Sequence, residues 1–233
     1  MLRRQTLAWL VHLYTASGAV VGLLALIAAA RNDTRGAFLL LVGAAFIDGT
    51  DGILARRVKV SEILPNFSGA YLDNAVDVLT YIFVPLFIIA WEQLLPAWWW
   101  IIPPTLAAMY AYGQVNMKTE DHYFLGFPSY WNIVALYMWW YRADGWVAVA
   151  IIMVPTILTF VPTRWLYPSR NSIFWRTSWT LGAVWTAMLF YILCSGEPHP
   201  VLVSISLYYP AYYAIASFYV DYTIRAKARR SQS

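Results

Sequence analysis

Runs of apolar residues broken by short polar clusters divide this chain into eight segments, approximately 7–30, 36–55, 70–91, 97–116, 124–141, 145–162, 173–195 and 199–222. Each is close to the 17 to 25 residues that a bilayer-spanning helix needs. The pattern therefore predicts an all-α integral membrane protein, a bundle of about eight transmembrane helices. Gly18-x-x-x-Gly22 in the first segment marks a place where another helix can approach closely. Pro103, Pro104, Pro155 and Pro210 fall inside the apolar runs and predict kinks. No internal repeat or low-complexity linker breaks the series, so residues 1–233 read as a single polytopic membrane domain.

Composition agrees, with 61% hydrophobic residues, 12% charged residues and 13 Trp in 233 positions. Charge adds an orientation. With both termini cytoplasmic, all of the sixteen Lys and Arg except Arg31, Arg35 and Arg142 fall on the cytoplasmic side. Trp91, Trp98, Trp99, Trp100, Trp139, Trp140 and Trp146 then gather at outer helix ends, as an interfacial belt does. The expected location is a cell inner membrane, crossed many times. The net charge of +4 is spread over several inner loops, a footprint that fits anionic lipid head groups and argues against a nucleic-acid partner. Met1-Leu-Arg-Arg precedes an apolar run too long for a signal peptide, so the first span is expected to be retained. The lone Cys194 excludes an intrachain disulfide.

Against this background the polar positions inside the spans stand out. Asp48 and Asp51 are three apart and Asp73 and Asp77 are four apart, so each pair lies on one helix face. A carboxylate near the middle of a membrane helix costs roughly 2.5 to 3.5 kcal/mol on the mild insertion scale, and four together demand a compensating cation. Two divalent ions match four negative charges, and an all-oxygen donor set suits Mn2+, Mg2+ or Ca2+. Arg56 ends the second span about 12 Å below Asp48, which places the carboxylates in the cytoplasmic half of the bilayer. The set reads as a two-metal phosphoryl-transfer site facing the cytoplasm. Arg56 supplies a fixed cation for a pyrophosphate, while Gly52, Ala55 and Gly69 remove bulk where a nucleotide must come close. The alternative from another class is a cation transporter using the same carboxylates, which would be expected to show duplicated halves; none is evident.

The ordered residues Asp48-x-x-Asp51-Gly52-x-x-Ala55-Arg56, then Gly69-x-x-x-Asp73-x-x-x-Asp77, resemble the signature of the CDP-alcohol phosphotransferases, membrane enzymes that displace CMP from a CDP-linked substrate with an alcohol. The resemblance implies that Asp48, Asp51, Asp73 and Asp77 hold two metal ions, most often Mn2+ with Mg2+ as the other choice, and that Asp77 is the general base. It also implies that Gly52, Ala55, Arg56 and Gly69 border the CDP moiety. His12-x-x-Thr15 occupies the place where many relatives carry Asn-x-x-Thr, so His12 and Thr15 join the nucleotide-binding set. On the same basis residues 1–170 form a family core of about six helices, and 171–233 add two more. Twelve residues separate Arg56 from Gly69 where most of the family has about eight or nine. That gap, Gly49 and the eight-span layout resemble the bacterial branch that joins CDP-diacylglycerol to free choline; serine or another small alcohol is the alternative acceptor.

Choline offers no N–H donor, so aromatic faces and carboxylates must recognise it. Candidates near the predicted cytoplasmic ends are Tyr123, Tyr130, Trp131, Trp165 and Tyr167, with Glu120, Asp121 and His122. Each aromatic has a second reading as an interfacial anchor, and each charge as a loop residue. Arg164 and Arg170 hold a lipid phosphate or enforce topology. Expected partners are thus CDP-diacylglycerol, choline and membrane lipids, with a homodimer as a further expectation.

Overall fold

The computed structural model describes residues 2–115, 117, 119, 123–167 and 174–230, leaving the side chains at 228 and 230 aside. The chain is mostly helical. Five helical segments among these residues are long and apolar enough to cross a membrane, namely Leu2–Ala30, Thr34–Val58, Gly69–Trp91, Trp175–Cys194 and Pro200–Lys227. The protein is therefore a multi-pass membrane protein of helical class. Its contacts divide it into two units, residues 1–101 with 130–145, and residues 102–129 with 146–233.

The first unit begins with α1 (Leu2–Ala30) and α2 (Thr34–Val58), which pack along their length as a hairpin. Asp33 caps α2, its Oδ1 accepting from the Gly36 N–H at 2.9 Å. Lys59, left-handed at φ 59°, ends α2 by donating its N–H to the last-turn carbonyls of Ala55 and Arg56. The short α3 (Val60–Ile63) follows. Ser68 then caps α4 (Gly69–Asp77), accepting from the Tyr71 N–H at 3.2 Å. Directly after Asp77 the backbone widens into a π-helical turn, Val78–Phe83, before resuming as α5 (Val84–Trp91). The third apolar segment is thus one continuous span with a wide turn at its middle.

Small residues let the third span lie against the first. A Cβ on Gly18 would stand 2.8 Å from Val76 Cγ1, and one on Gly22 would stand 2.9 Å from Thr80 Cγ2. At the far end, Glu92 receives hydrogen bonds from Thr34 and from Arg142, the latter at 2.8 Å, and Trp91 Nε1 donates to Asn32 Oδ1 at 3.1 Å. These bonds tie the turn of the hairpin to the end of α5. Arg142 follows α7 (Trp131–Trp140), which completes the unit against α5.

The second unit holds α6 (Ile102–Gly113), introduced by a 3-10 turn at Trp98–Ile101 in the first, then α8 (Gly145–Phe160), α9 (Trp175–Cys194), α10 (Pro200–Ser206) and α11 (Tyr208–Arg230). It also holds a two-stranded antiparallel sheet, β1 (Tyr123–Leu125) and β2 (Arg164–Leu166), with Phe124 opposite Trp165. One edge of β2 pairs with β1; the other is satisfied by α11. Leu166 N–H donates to Ser217 Oγ at 3.1 Å, Arg164 N–H to Asp221 Oδ1 at 3.2 Å, and Tyr213 O–H to the Leu166 carbonyl at 2.7 Å.

The fifth segment differs from its expected course, since helix begins at Trp131 rather than near 124. Gly126 has φ 79°, and a Cβ there would stand 2.3 Å from the Thr159 carbonyl oxygen, so the chain turns where only glycine fits. Pro128 and Ser129, at φ 57°, delay the helix further. The proline kinks need partial revision: Pro155 lies inside a helix, Pro103 and Pro104 stand in a first turn, where no N–H is missed, and Pro210 follows the break at Leu207 that divides the last apolar segment into α10 and α11.

Candidate active site

The hairpin of α1 and α2 sets residues 14 and 15 beside residues 50 and 51. Tyr14 O–H and Thr50 Oγ1 share a hydrogen bond of 2.7 Å, and the Thr15 side chain, whose Oγ1 donates to the Val11 carbonyl, lies beside Asp51. The Gly18 and Gly22 contacts then bring α4 to the same level. Asp48, Asp73 and Asp77 converge there: each offers a carboxylate oxygen, and the three oxygens lie within 4.8 Å of one another. Asp77 is buried, and Asp48 and Asp73 are half-buried.

Three carboxylates this close repel one another by about 3 kcal/mol per pair at an effective dielectric of 20. A hard cation reverses the sign of that interaction. The oxygen-only donor set and the short spacing fit a divalent ion, and Asp48, Asp73 and Asp77 are the residues that would hold it.

Asp51 is buried as well but stands outside that trio. Its carboxylate lies beside the Thr15 side chain and the Gly52 N–H, with Asp48 and the Arg56 guanidinium within electrostatic reach. Thr15 therefore neighbours a carboxylate of the motif. Arg56 is exposed, and a Cβ on Gly52 would lie 3.2 Å from its Nη1, so glycine leaves room for that side chain to fold back along α2. Ala55 packs on a cluster of Ala8, Val11 and Val60.

His12 is buried at 6% exposure, and its Nε2 has no hydrogen-bond partner among the described residues. Its ring lies 4.4 Å from that of Phe67 and 5.8 Å from that of Trp9. A Cβ on Gly69 would stand 2.9 Å from His12 Cε1. The glycine of the motif thus makes room for the imidazole.

The aromatic candidates fall into both units. Tyr130 and Trp131 belong to the first; Tyr130 lies 6.4 Å from the ring of Tyr81, and Trp131 is fully buried at the start of α7. Tyr123, Trp165 and Tyr167 belong to the second. Trp165 is buried among Phe127, Tyr213 and Phe218 and donates Nε1–H to Thr163 Oγ1 at 2.9 Å. Tyr123 is buried in β1, and Tyr167 packs on Phe124 at 4.7 Å. Arg164 is joined to Asp221 by an ion pair of 3.5 Å. Glu120, Asp121, His122 and Arg170 lie outside the described residues.

Sequence reasoning missed Tyr81, whose O–H donates to Asp48 Oδ2 at 2.8 Å, and the aromatic neighbours Trp9 and Phe67 of His12. Tyr81 carried a signal, since it continues the four-residue spacing of Asp73 and Asp77. Phe67 had none, lying in the connection before α4.

The sequence profile of the CDP-alcohol phosphatidyltransferases matches residues 6–162, a stretch that contains the whole carboxylate cluster. This chain belongs to that family. Among curated relatives it is similar to a phosphatidylcholine synthase of Legionella pneumophila, 35% identical over 234 aligned positions that cover 95% of this chain and 91% of the relative. A phosphatidylcholine synthase of Pseudomonas aeruginosa is 38% identical over 181 positions, 76% of each chain. One from Borreliella burgdorferi is 29% identical over 226 positions, 94% of this chain and 96% of the relative. In this member of the CDP-alcohol phosphatidyltransferases, α9 to α11 lie beyond the matched residues.

Proposed function

We propose that this protein transfers the phosphatidyl group of CDP-diacylglycerol to choline, giving phosphatidylcholine and CMP. The observation that carries the reading is the convergence of Asp48, Asp73 and Asp77 from two helices in a chain whose relatives bear the name phosphatidylcholine synthase.

The choline oxygen attacks the phosphorus that bears diacylglycerol, its proton passes to Asp77, and the bond from that phosphorus to the bridging oxygen breaks as CMP departs. Divalent cations, Mn2+ in the first instance and Mg2+ in the second, would neutralise the pyrophosphate charge when bound. Asp48, Asp73 and Asp77 would hold them, with Asp51 and Thr15 beside the trio. Arg56 meets the pyrophosphate from the end of α2, Gly52 and Ala55 line its approach, and His12 and Gly69 border the nucleotide. Tyr130, next to Tyr81, is the favoured aromatic wall for the choline cation, with the buried Trp131 next to it in the chain.

The enzyme belongs in the inner membrane, crossing it eight times with both termini and the active site cytoplasmic, as the placement of Lys and Arg supports. Residues 1–170 act as the catalytic core. A homodimer, if formed, uses a contact other than Gly18 and Gly22, which pack on Val76 and Thr80 inside the chain.

The test is CMP release by purified protein in detergent from CDP-diacylglycerol and Mn2+, with choline, serine, glycerol 3-phosphate or no alcohol. Choline-dependent release is expected. Release that follows serine would reassign the acceptor, and no release with any alcohol would overturn the transferase reading.

A further inference from the structure

One aromatic hydroxyl joins the carboxylate cluster from outside the motif. Tyr81 lies four residues beyond Asp77, as Asp77 lies four beyond Asp73. On an ideal α-helix each step of four overshoots a full turn by about 40°, so successive members of such a series swing away from the first. Here the backbone enters its π-helical turn at Val78, immediately after Asp77, and a wider turn takes up that overshoot. Tyr81 therefore stays on the face that looks toward α2, where its hydroxyl donates to Asp48 Oδ2 at 2.8 Å. The same bond links the third span to the second across 33 positions of sequence.

An aspartate carboxylate has a broad, shallow preference at its last torsion, so its orientation depends on what holds it from outside. We infer that Tyr81 is a positioning residue whose hydroxyl fixes the rotation of the Asp48 carboxylate within the cluster, and so raises the affinity of Asp48, Asp73 and Asp77 for a divalent cation. The inference rests on the reading of that cluster as a metal site. Partners of this kind, one bond removed from the metal, alter affinity by about ten- to a hundredfold when lost. The phenol ring packs beside Tyr130 at 6.4 Å, a contact that phenylalanine retains. Tyr81→Phe thus separates the hydroxyl from the packing.

The decisive measurement is Mn2+ binding to purified protein in detergent without any substrate, read from the electron paramagnetic resonance signal of the free ion. Tyr81→Phe is expected to weaken binding by tenfold or more, with the melting temperature of metal-free protein unchanged. In the CMP-release assay the Mn2+ needed for half-maximal rate should rise by a similar factor, and saturating Mn2+ should restore most of the rate. A Tyr81→Phe titration that superimposes on wild type would overturn the inference. A variant that melts lower or fails to fold, or whose rate saturating Mn2+ does not restore, would also overturn it by making the hydroxyl a folding determinant or a direct participant. Wild-type protein without saturable Mn2+ binding would instead overturn the metal reading, and this inference with it. The identity of the acceptor enters none of these outcomes.

Discussion

Asp77 is the buried member of the carboxylate trio and ends the α-helical part of its span, with the π turn beginning at the next residue. As the base of the proposed reaction it must accept a proton, which the isosteric amide cannot do. Asp77→Asn should therefore lower CMP release by a hundredfold or more while CDP-diacylglycerol still binds. Wild-type turnover in that variant would remove Asp77 from the role. Asp51 behaves differently because it sits beside Thr15 and stands outside the trio. Asp51→Asn should raise the Mn2+ requirement, and an unchanged metal titration would show that it holds no ion. The sequence displayed the carboxylates plainly, since two pairs at helical spacing inside apolar segments demand a compensating cation. It did not separate Asp51 from the rest, because a spacing of three fixes a helix face but not the rotation of that face toward a neighbour. Tyr81 carried only the four-residue spacing that continues Asp73 and Asp77, a weak signal because a tyrosine in a membrane span is ordinary and only the π turn makes its position specific.

Among the elements, the first span is defined by what it lacks. Gly18 and Gly22 let Val76 and Thr80 come to distances that no Cβ would tolerate, and this contact sets the level at which Asp73 and Asp77 meet Asp48. Gly22→Val would drive a branched side chain against Thr80 and Leu79, both already within 3.0 Å of the missing Cβ. Overpacking of this kind costs about 1 to 3 kcal/mol. A lower melting temperature together with weaker Mn2+ binding is expected; unaltered metal affinity would uncouple this seam from the site. In the second unit, α11 presents Tyr213, Ser217 and Asp221 at intervals of four, one above another, and each bonds the open edge of β2. The small sheet was not legible, because three-residue strands leave no alternation to read and their partners come from a helix more than forty residues further on. The helices themselves were legible in order, since length and apolarity alone govern them.

For the whole molecule the open quantity is the number of crossings, and the lone cysteine measures it. Helices α6, α7 and α8 rise about 18, 15 and 24 Å at 1.5 Å per residue, less than the hydrocarbon core of about 30 Å. If all three cross, with their flanking turns completing the path, the chain spans eight times. If none does, only the five long segments cross, and the α6–α7 connection and everything after residue 160 change side. With a cytoplasmic N-terminus, eight crossings put Cys194, the exposed last residue of α9, on the outer side, whereas five put it on the inner side. A membrane-impermeant maleimide added to intact cells with a permeable outer envelope should therefore label the unaltered protein at Cys194. Labelling that requires lysis would reduce the crossings to an odd number, strand the C-terminus outside, and break the agreement between basic loops and cytoplasm on which the orientation rests.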